Sequence, residues 1–457
     1  MVSCRHSLWT VLCGPMRFRA SDVAYATNGR LIGPDVDIDG VSFDSRTVSA
    51  GQLFVPVMAT RDGHEFIDGA LVRGAAAYLT ARSALPVDGT GGNGNGGTAV
   101  EVADTTEAFL ELARWARRRL PDRVVGITGS VGKTSTKDFA KTVLTERWRT
   151  TANEKSFNND QGLPSTILNA ADDTEVLVLE MGMNHFGEIA RLCRVGQPTI
   201  GVVTRVGDAH TQHVGGIEGV ARAKAELVQA LPAGGTAILN ADDERVATMS
   251  SMTDAAVLTY GYAGAVRVTD LSLDERGRAS FTLATPWGST PVKVGQTGEH
   301  MAMNAAAAAA IGLVLDVPLD VIASALGTAT LSAWRMEMRT TAAGGLLIND
   351  AYNANPTSLR AALDTLAALP ADRRIAVLGL MAEIADPIAD HAGVAAYARE
   401  RGVTIVAFAT DLYGVTPTDD PVSAVGSIGA GDAVLLKGSR VCRLERFVDG
   451  LAGITPV

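Results

Sequence analysis

Cysteine, long apolar runs and clustered positive charge are all scarce in this sequence. Its four cysteines, Cys4, Cys13, Cys193 and Cys442, are scattered with no C-x-x-C pair. They form neither a disulfide framework nor a zinc site, and fit the reduced thiols of a cytosolic protein. No apolar run approaches the ~18 residues that a membrane-spanning helix needs, so no membrane insertion is expected. Lys and Arg number 40 against 50 Asp and Glu, a formal net charge of -10. That balance argues against broad nucleic-acid binding, because affinity for a phosphate backbone comes mainly from clustered Lys and Arg. A local basic pocket for a small anion stays open. Near the amino end, Arg5 ahead of the short run Leu8 to Cys13 has the outline of a signal peptide. Thr10 interrupts that run, and an upstream start before Met16 is the simpler expectation.

What is present is ordinary globular material, with 47% hydrophobic and 20% charged residues. At 457 residues the chain is about three domains long. Residues 16–100 alternate short Val/Ile/Phe-rich runs such as Val41-Ser42-Phe43 with turn signals, which reads as a small α/β unit. The stretch Gly89 to Thr98 is almost all Gly, Asn and Thr and is expected to be a flexible surface loop. Residues 101–330 open with an amphipathic helical stretch, Thr106 to Leu120. They continue as strand, loop and helix around the apolar runs Val124 to Ile127, Val176 to Leu179 and Ile200 to Val203, the signature of a parallel sheet covered on both faces. Val266 to Val294 reads as hairpins, an antiparallel appendage. Residues 331–457 carry the runs Leu346 to Ile348, Ile375 to Leu378, Thr404 to Phe408 and Ala433 to Leu436 between helices, as in a doubly wound, Rossmann-like α/β domain. No internal repeat of fixed period is present.

The strongest local signal is Gly126-Ile-Thr-Gly129-Ser130-Val-Gly132-Lys133-Thr134-Ser135, which follows an apolar strand and opens a helix. Glycines let the backbone N–H groups curl toward a phosphate, and the helix N-terminus adds a favourable dipole. Lys133 would reach the outer phosphates and the Thr134 hydroxyl would ligate magnesium. The common form G-x-x-x-x-G-K-[ST] would need Gly where Ile127 stands, so the strict pattern misses by one residue. Such a loop indicates a nucleotide, not a reaction, since kinases, GTPase switches and ligases all use it.

Acidic metal ligands in an open α/β sheet belong at the carboxyl ends of strands. Glu180 ends the run Val176-Leu-Val-Leu-Glu180; it is either a metal ligand or a solvated residue at the sheet edge. The next strand leads into Asp208-Ala-His210-Thr-Gln-His213, whose imidazoles could bind metal or phosphate, although a loop histidine is usually only solvated. Lys224, in Ala221-Arg-Ala-Lys224-Ala-Glu226-Leu, reads by composition as a surface lysine.

Laid side by side, these segments resemble the Mur ligase family, in particular its dipeptide-adding type. The spacing G-x-x-G-x-x-G-K-T-S is similar to that family's variant of the phosphate loop, which accounts for Ile127. Further matches are Asn153-Glu-Lys-Ser-Phe-Asn158-Asn159-Asp-Gln-Gly162, Leu179-Glu180-Met-Gly182-Met-Asn184-His185-Phe-Gly187-Glu188, Asn349-Asp350-Ala-Tyr352-Asn353-Ala-Asn355-Pro356, and Leu436-Lys437-Gly438-Ser439-Arg440. At the amino end Asp44-Ser45-Arg46 and Asp62-Gly63-His64 look like the family's UDP-sugar-binding domain. The resemblance thus covers nearly the whole chain from Met16.

It implies an ATP-dependent ligase of three α/β domains: an N-terminal UDP-sugar-binding domain, a central phosphate-loop ATPase domain and a C-terminal ligase domain. The implied reaction joins D-alanyl-D-alanine to UDP-N-acetylmuramoyl-tripeptide through an acyl phosphate, in cytoplasmic peptidoglycan precursor synthesis, by a monomer. Lys133, Glu180, His210 and Lys224 would be catalytic. Thr134, Glu180, His210 and Lys224 would hold two Mg2+ ions, Lys224 as a carbamate, which turns a cation into the oxygen ligand a hard ion prefers. The nucleotide would meet Gly129, Ser130, Gly132, Lys133, Thr134, Ser135, Asn304, Arg335 and Asp350. The other substrates would meet Ser45, Arg46, Asn158, Asn159, Tyr352, Asn353 and Asn355. The family usually reads Leu-Gly-Asp-Met where this chain has Leu378-Gly379-Leu380-Met381, so Leu380 is expected to extend the packing of a strand end. His213 falls outside the family pattern, leaving His210 as the expected ligand. Asn353-Ala-Asn355-Pro356, with no Asp-Asn-Pro-Arg sequence in the third domain, favours the dipeptide-adding type. The alternatives are a ligase for the third amino acid, a folylpolyglutamate-type ligase, or a regulatory protein gated by slow ATP hydrolysis.

Overall fold

The computed structural model describes residues 14–58, 61–82, 97–154, 156–208 and 211–453. The chain divides into two compact units, one of residues up to Val124 with Trp148–Met181 and Arg191–Pro198, the other of Val125–Arg147, Gly182–Ala190 and Thr199 onward.

In the first unit a small sheet runs in the order Arg30–Ile32, Thr98–Glu101, Ala77–Thr80, Leu53–Phe54, Val41–Ser42, parallel except at the first pair. Phe54, Ala70, Ala75 and Val48 form a core beneath it, with Phe66 and Leu71 packed against them. Thr98, expected in a surface loop, instead opens a strand and is buried; Gly89 to residue 96 lie outside the described residues. The amphipathic stretch folds as the helix Thr105–Ala116, capped by the Asp104 carboxylate on Thr106 N and Glu107 N. Strand Val176–Glu180 is buried at every position and pairs in parallel with Thr150–Ala152. Asn169 ties the helix Gly162–Leu168 to the small sheet by bonding both Val41 N (2.9 Å) and Val41 O (3.0 Å).

In the second unit the central strands run Gly288–Thr297, Arg278–Thr285, Val266–Leu273, Ala256–Gly261, Thr236–Asn240, Ile200–Val203, Val124–Thr128. The hairpins are antiparallel, as expected. They are not an appendage, because Tyr260 pairs in parallel with Val266 and the hairpins extend the same sheet. The helix His300–Val314 packs against Lys133–Thr145, and the six consecutive alanines Ala305–Ala310 are all buried. Small side chains set that close approach: a Cβ on Gly312 would come within 2.8 Å of Val143.

The carboxyl-terminal sheet runs Glu337–Thr340, Leu346–Asn349, Asp432–Lys437, Arg373–Leu378, Thr404–Ala407, parallel except for its first pair. The chain passes from Leu346–Asn349 across to Arg373–Leu378 and Thr404–Ala407, then turns back to insert Asp432–Lys437 between the first two, the doubly wound arrangement expected. Its crossover helices Pro356–Ala368, Pro387–Glu400 and Pro421–Val425 each begin with proline, whose missing N–H costs nothing there. They are capped in turn by Asn355, Asp386 and Asp420. Leu347, Val377, Val434 and Leu436 from the strands meet Phe408, Leu444 and Val448 in the core. Leu380 is half-buried beyond the strand Arg373–Leu378, with its carbonyl taking Ser439 N at 2.9 Å. Among the described residues no helix is long and apolar enough to cross a membrane.

Candidate active site

The phosphate loop lies between the strand Val124–Thr128 and the helix Lys133–Thr145. Two of its glycines are required by space as well as by conformation. Gly129 has φ +149° and a Cβ there would lie 1.9 Å from Thr204 Oγ1; Gly132 has φ +87° and a Cβ would lie 2.5 Å from Asn304 Oδ1. The second contact explains why Asn304, far away in sequence, belongs with the loop. Neighbouring chain pins the loop: Ser130 N donates to Arg205 O (2.7 Å), Ser130 Oγ lies 2.9 Å from both Gly207 O and Gly207 N, and Thr204 Oγ1 donates to Val131 O (2.6 Å). Lys133 Nζ folds back onto Gly129 O at 2.6 Å. The ammonium thus lies over the concave side, where a phosphate would replace the carbonyl. Thr134 and Ser135 are buried in the first helical turn.

Arg335 closes on this loop. Its Nη2 donates to Thr134 Oγ1 at 3.1 Å while its guanidinium stacks on the Tyr352 ring at 4.0 Å. Asp350 accepts from Met336 N at 3.2 Å and pairs with the ammonium of Lys437, which also donates to Asn353 O at 2.9 Å. Burial pulls the Lys437 pKa down and the Asp350 charge pulls it back part of the way. Arg335, Asp350, Tyr352 and Asn353 therefore form one connected cluster beside Thr134, which joins two residues expected at the nucleotide to two expected at the dipeptide. Asn355 is committed locally, capping the helix Pro356–Ala368 through Ser358 N at 2.8 Å.

Lys224 is not a surface lysine. On the helix Ile217–Gln229 its side chain is 1% exposed, while Arg222 and Glu226 point away from the core. Arg222 covers Phe186 at 4.1 Å, and Glu226 accepts from Gly187 N (2.7 Å) and Ala190 N (3.0 Å), so the same helix carries the Gly182–Gly187 loop. Burial, and secondarily the positive charge of Lys133, push the Lys224 pKa well below that of an ordinary lysine. The neutral amine is thereby favoured. His213 is exposed and meets His185 with ring centroids 4.8 Å apart. His210 lies outside the described residues.

In the other unit Glu180 is buried at the carboxyl end of its strand, 1% exposed, rather than solvated. Asn158 Nδ2 donates to its Oε1 at 2.8 Å and its own N–H donates to Asn153 Oδ1 at 2.6 Å. Asn159 turns to the chain instead, accepting from Gln161 N and Gly162 N to start the helix Gly162–Leu168. Ser45 is half-buried beside Arg46, whose exposed guanidinium is held in two bonds by Asp44 at 2.9 and 2.7 Å.

The sequence reading missed four supports. Thr204 fixes the loop, and Asp138 accepts Ser332 N at 2.7 Å. Lys437 holds Asp350, and Asn153 holds the Glu180 backbone. Lys437 was visible as part of Leu436-Lys437-Gly438-Ser439 but had no assigned partner. Asp138 and Thr204 carried no motif.

Among the described residues no group of three or more His, Cys, Asp or Glu is arranged to hold a metal ion. Each unit by itself carries oxygen donors, the second the Thr134 hydroxyl and the first the buried Glu180 carboxylate. These are the ligands a hard divalent cation takes.

Comparison with known proteins agrees with the geometry. Residues 127–312 match the Mur ligase middle domain and residues 334–440 match the Mur ligase, glutamate ligase domain. A UDP-N-acetylmuramoyl-tripeptide–D-alanyl-D-alanine ligase of Mycobacterium tuberculosis is 40% identical over 376 residues, 77% of this chain and 73% of that one. MurF from Acinetobacter baumannii superposes with a TM-score of 0.82 at 28% identity, covering 96% of this chain and all of that one. MurF ligase from Thermotoga maritima, solved in complex with ADP, gives 0.78 at 26% identity over 91% of this chain and 97% of that one.

Proposed function

We propose that this chain, which belongs to the Mur ligase family, joins D-alanyl-D-alanine to UDP-N-acetylmuramoyl-tripeptide in an ATP-driven reaction of peptidoglycan precursor synthesis. We place it in the cytoplasm, acting as a monomer. The observation that carries the reading is the phosphate loop with Arg335 on its Thr134 hydroxyl and Asp350, Tyr352 and Asn353 clustered beside it, inside the two matched family domains.

A carboxylate is a poor acyl donor because oxide is a poor leaving group. A carboxylate oxygen of the tripeptide attacks the γ-phosphorus of ATP, the bond to the β,γ-bridging oxygen breaks, and ADP leaves. The dipeptide amine then attacks the acyl-phosphate carbonyl, loses a proton, and expels inorganic phosphate. Catalysis is mostly positioning and neutralisation of growing negative charge. Lys133 leaves Gly129 O for the outer phosphates, and the Gly129–Gly132 backbone with Ser130 and Ser135 cradles the rest. Asn304, Arg335 and Asp350 orient the nucleotide, Arg335 turning its guanidinium to the phosphate that moves.

Thr134, Glu180, His210 and Lys224 would hold Mg2+, Lys224 after its neutral amine has added to carbon dioxide and released a proton. When bound, the ions would neutralise phosphate charge. The depressed Lys224 pKa fits that role, since only a neutral amine is nucleophilic. Ser45 and Arg46 would meet the uridine diphosphate, Asn158 and Asn159 the tripeptide side, and Tyr352, Asn353 and Asn355 the incoming dipeptide. Asn159 and Asn355 would do so by fixing the backbone, because their side-chain oxygens already cap helices.

The test is ADP release with the substrates offered singly and together. Release that appears only with UDP-N-acetylmuramoyl-tripeptide and D-alanyl-D-alanine both present supports the reading. Release with a single amino acid in place of the dipeptide would transfer the chain to another ligase of the family. Release indifferent to either substrate would make it a regulatory ATPase.

A further inference from the structure

The segment Ser332–Met336 connects the phosphate-loop helix to the carboxyl-terminal sheet and is pinned at nearly every residue. Ser332 N donates to Asp138 Oδ2 on the phosphate-loop helix (2.7 Å), Arg335 reaches Thr134 and Tyr352, and Met336 N donates to Asp350 Oδ1 (3.2 Å). Its backbone is unusual. Trp334 has φ +62° and Met336 has φ +50°, so two bulky residues bracket Arg335 in the left-handed region that such side chains avoid. A backbone of that kind persists only where its surroundings over-determine it. For Trp334 the constraint is visible: its indole lies under the Arg440 guanidinium, 4.4 Å from Cζ to the ring centroid, and Arg440 is itself held by Glu445 at 2.5 Å.

We propose that Trp334 is a positioning residue for Arg335. The Arg440 stack holds residue 334 left-handed, and that reversal sends the next side chain back to the Thr134 hydroxyl rather than outward. A threonine at this place in a phosphate loop faces the metal and γ-phosphate end of the nucleotide. Arg335 is thus aimed, before substrate arrives, at the phosphate by which ATP differs from ADP. Preorganised donors of this type act on charge that develops during transfer and cost no rearrangement at the moment of reaction. Glycine would accept the same φ more readily than tryptophan, so the aromatic ring at this position is there for its stack, not for the turn.

This inference rests on the ligase reading for its catalytic consequence but has a binding readout that does not. Calorimetry of MgATP and MgADP with the unsubstituted chain, Trp334→Gly, Trp334→Phe, Arg440→Gln and the Trp334→Gly/Arg440→Gln double variant gives the ATP-over-ADP preference. Steady-state ligation gives kcat and the KM for dipeptide. Trp334→Gly is expected to lower the ATP preference about fivefold and kcat about tenfold, the scale of one misaimed charge-stabilising donor. The KM for dipeptide should stay within about twofold, since that binding does not pass through Arg335. Trp334→Phe should recover most of the loss, because a phenyl ring still stacks under a guanidinium. The double variant should be no worse than the poorer single one, as both remove one anchor. Unchanged ATP preference and kcat in Trp334→Gly, or single losses that multiply in the double variant, would overturn the proposal. Should Trp334→Gly not fold, Arg440→Gln, which leaves the indole in place, decides the matter by the same two measurements. An unsubstituted chain that binds ATP with the predicted variant pattern yet ligates nothing would sink the ligase reading and leave the positioning role standing.

Discussion

Gly129→Ala tests the phosphate loop where the structure leaves it no slack. An alanine Cβ would sit 1.9 Å from Thr204 Oγ1 and 3.1 Å from Arg205 N, in a residue whose φ is +149°. Two costs follow. An L-residue forced into that region costs about 1–3 kcal/mol. Driving out the Thr204 hydroxyl breaks its 2.6 Å bond to the partly buried Val131 carbonyl, and losing that partner costs up to about 1–3 kcal/mol more. The total, about 2–6 kcal/mol, must appear as lost stability or as a loop that has left its phosphate-binding shape. Calorimetry of MgATP binding and thermal unfolding with and without nucleotide divide the two. MgATP affinity should fall at least about tenfold, equivalent to about 1.4 kcal/mol. Thr204→Ala in the same chain should restore part of the loss, since it removes the clashing oxygen but not the φ cost. An alanine variant with the parent's affinity and the parent's midpoint would refute the loop geometry and the role assigned to it.

Three other substitutions probe separate parts of the site. Lys133→Ala should leave the fold intact, because the side chain is half-buried and its bond to Gly129 O lies within the loop, while ligation falls at least about a hundredfold; near-normal ligation would sink the phosphate-loop assignment. Lys437→Met leaves the Asp350 carboxylate buried without its cation, the side chains being 3% and 11% exposed. It should cost about 3–5 kcal/mol, read as lost hydrogen-exchange protection in Asp432–Lys437, and Asp350→Asn in the same chain should return much of it. His391 accepts Met381 N on Nε2 at 3.0 Å and bonds Pro387 O through Nδ1 at 2.6 Å, and burial lowers its pKa from 6.5. The native state therefore excludes a proton that the unfolded chain takes up. Stability should be complete above pH 6.5 and fall as pH drops through the native value, and His391→Gln should flatten the thermal midpoint between pH ~8 and ~5.5.

How much of this was legible in the sequence follows from what each residue's neighbours do. Strands such as Val176–Glu180 and Asp432–Lys437 were visible because both of their faces are covered, which leaves a continuous apolar run. Glu337–Thr340 was not, since it is a half-exposed edge strand reading Glu-Met-Arg-Thr. Thr98 was misplaced because a buried strand position can be filled by a residue typical of loops when its hydroxyl finds a carbonyl, here Pro34 O at 2.8 Å. The phosphate loop announced itself, since its glycines are required by geometry that any nucleotide loop shares. Lys224 did not: Ala-Arg-Ala-Lys-Ala-Glu-Leu has the charge pattern of a solvated face, and only the fold shows Arg222 and Glu226 outside with Lys224 turned in. Asn159 and Asn355 looked like ligands, yet their side chains cap helices, a role that Asn355-Pro356-Thr357-Ser358 spells out once a helix is known to start there. Trp334 had no signal at all, because a left-handed backbone leaves no trace in residue type when the residue is not glycine.

The central claim is that the phosphate loop, Arg335 and the Asp350 cluster serve amide-bond formation between a muramoyl tripeptide and a dipeptide. Mass spectrometry of a reaction holding the purified chain, MgATP, UDP-N-acetylmuramoyl-tripeptide and D-alanyl-D-alanine tests it most directly. A single new species, the nucleotide peptide extended by D-alanyl-D-alanine, with one ADP and one phosphate released per bond, is the predicted result. ATP consumed with the tripeptide unextended, or the tripeptide extended by one amino acid when free amino acids replace the dipeptide, would contradict it.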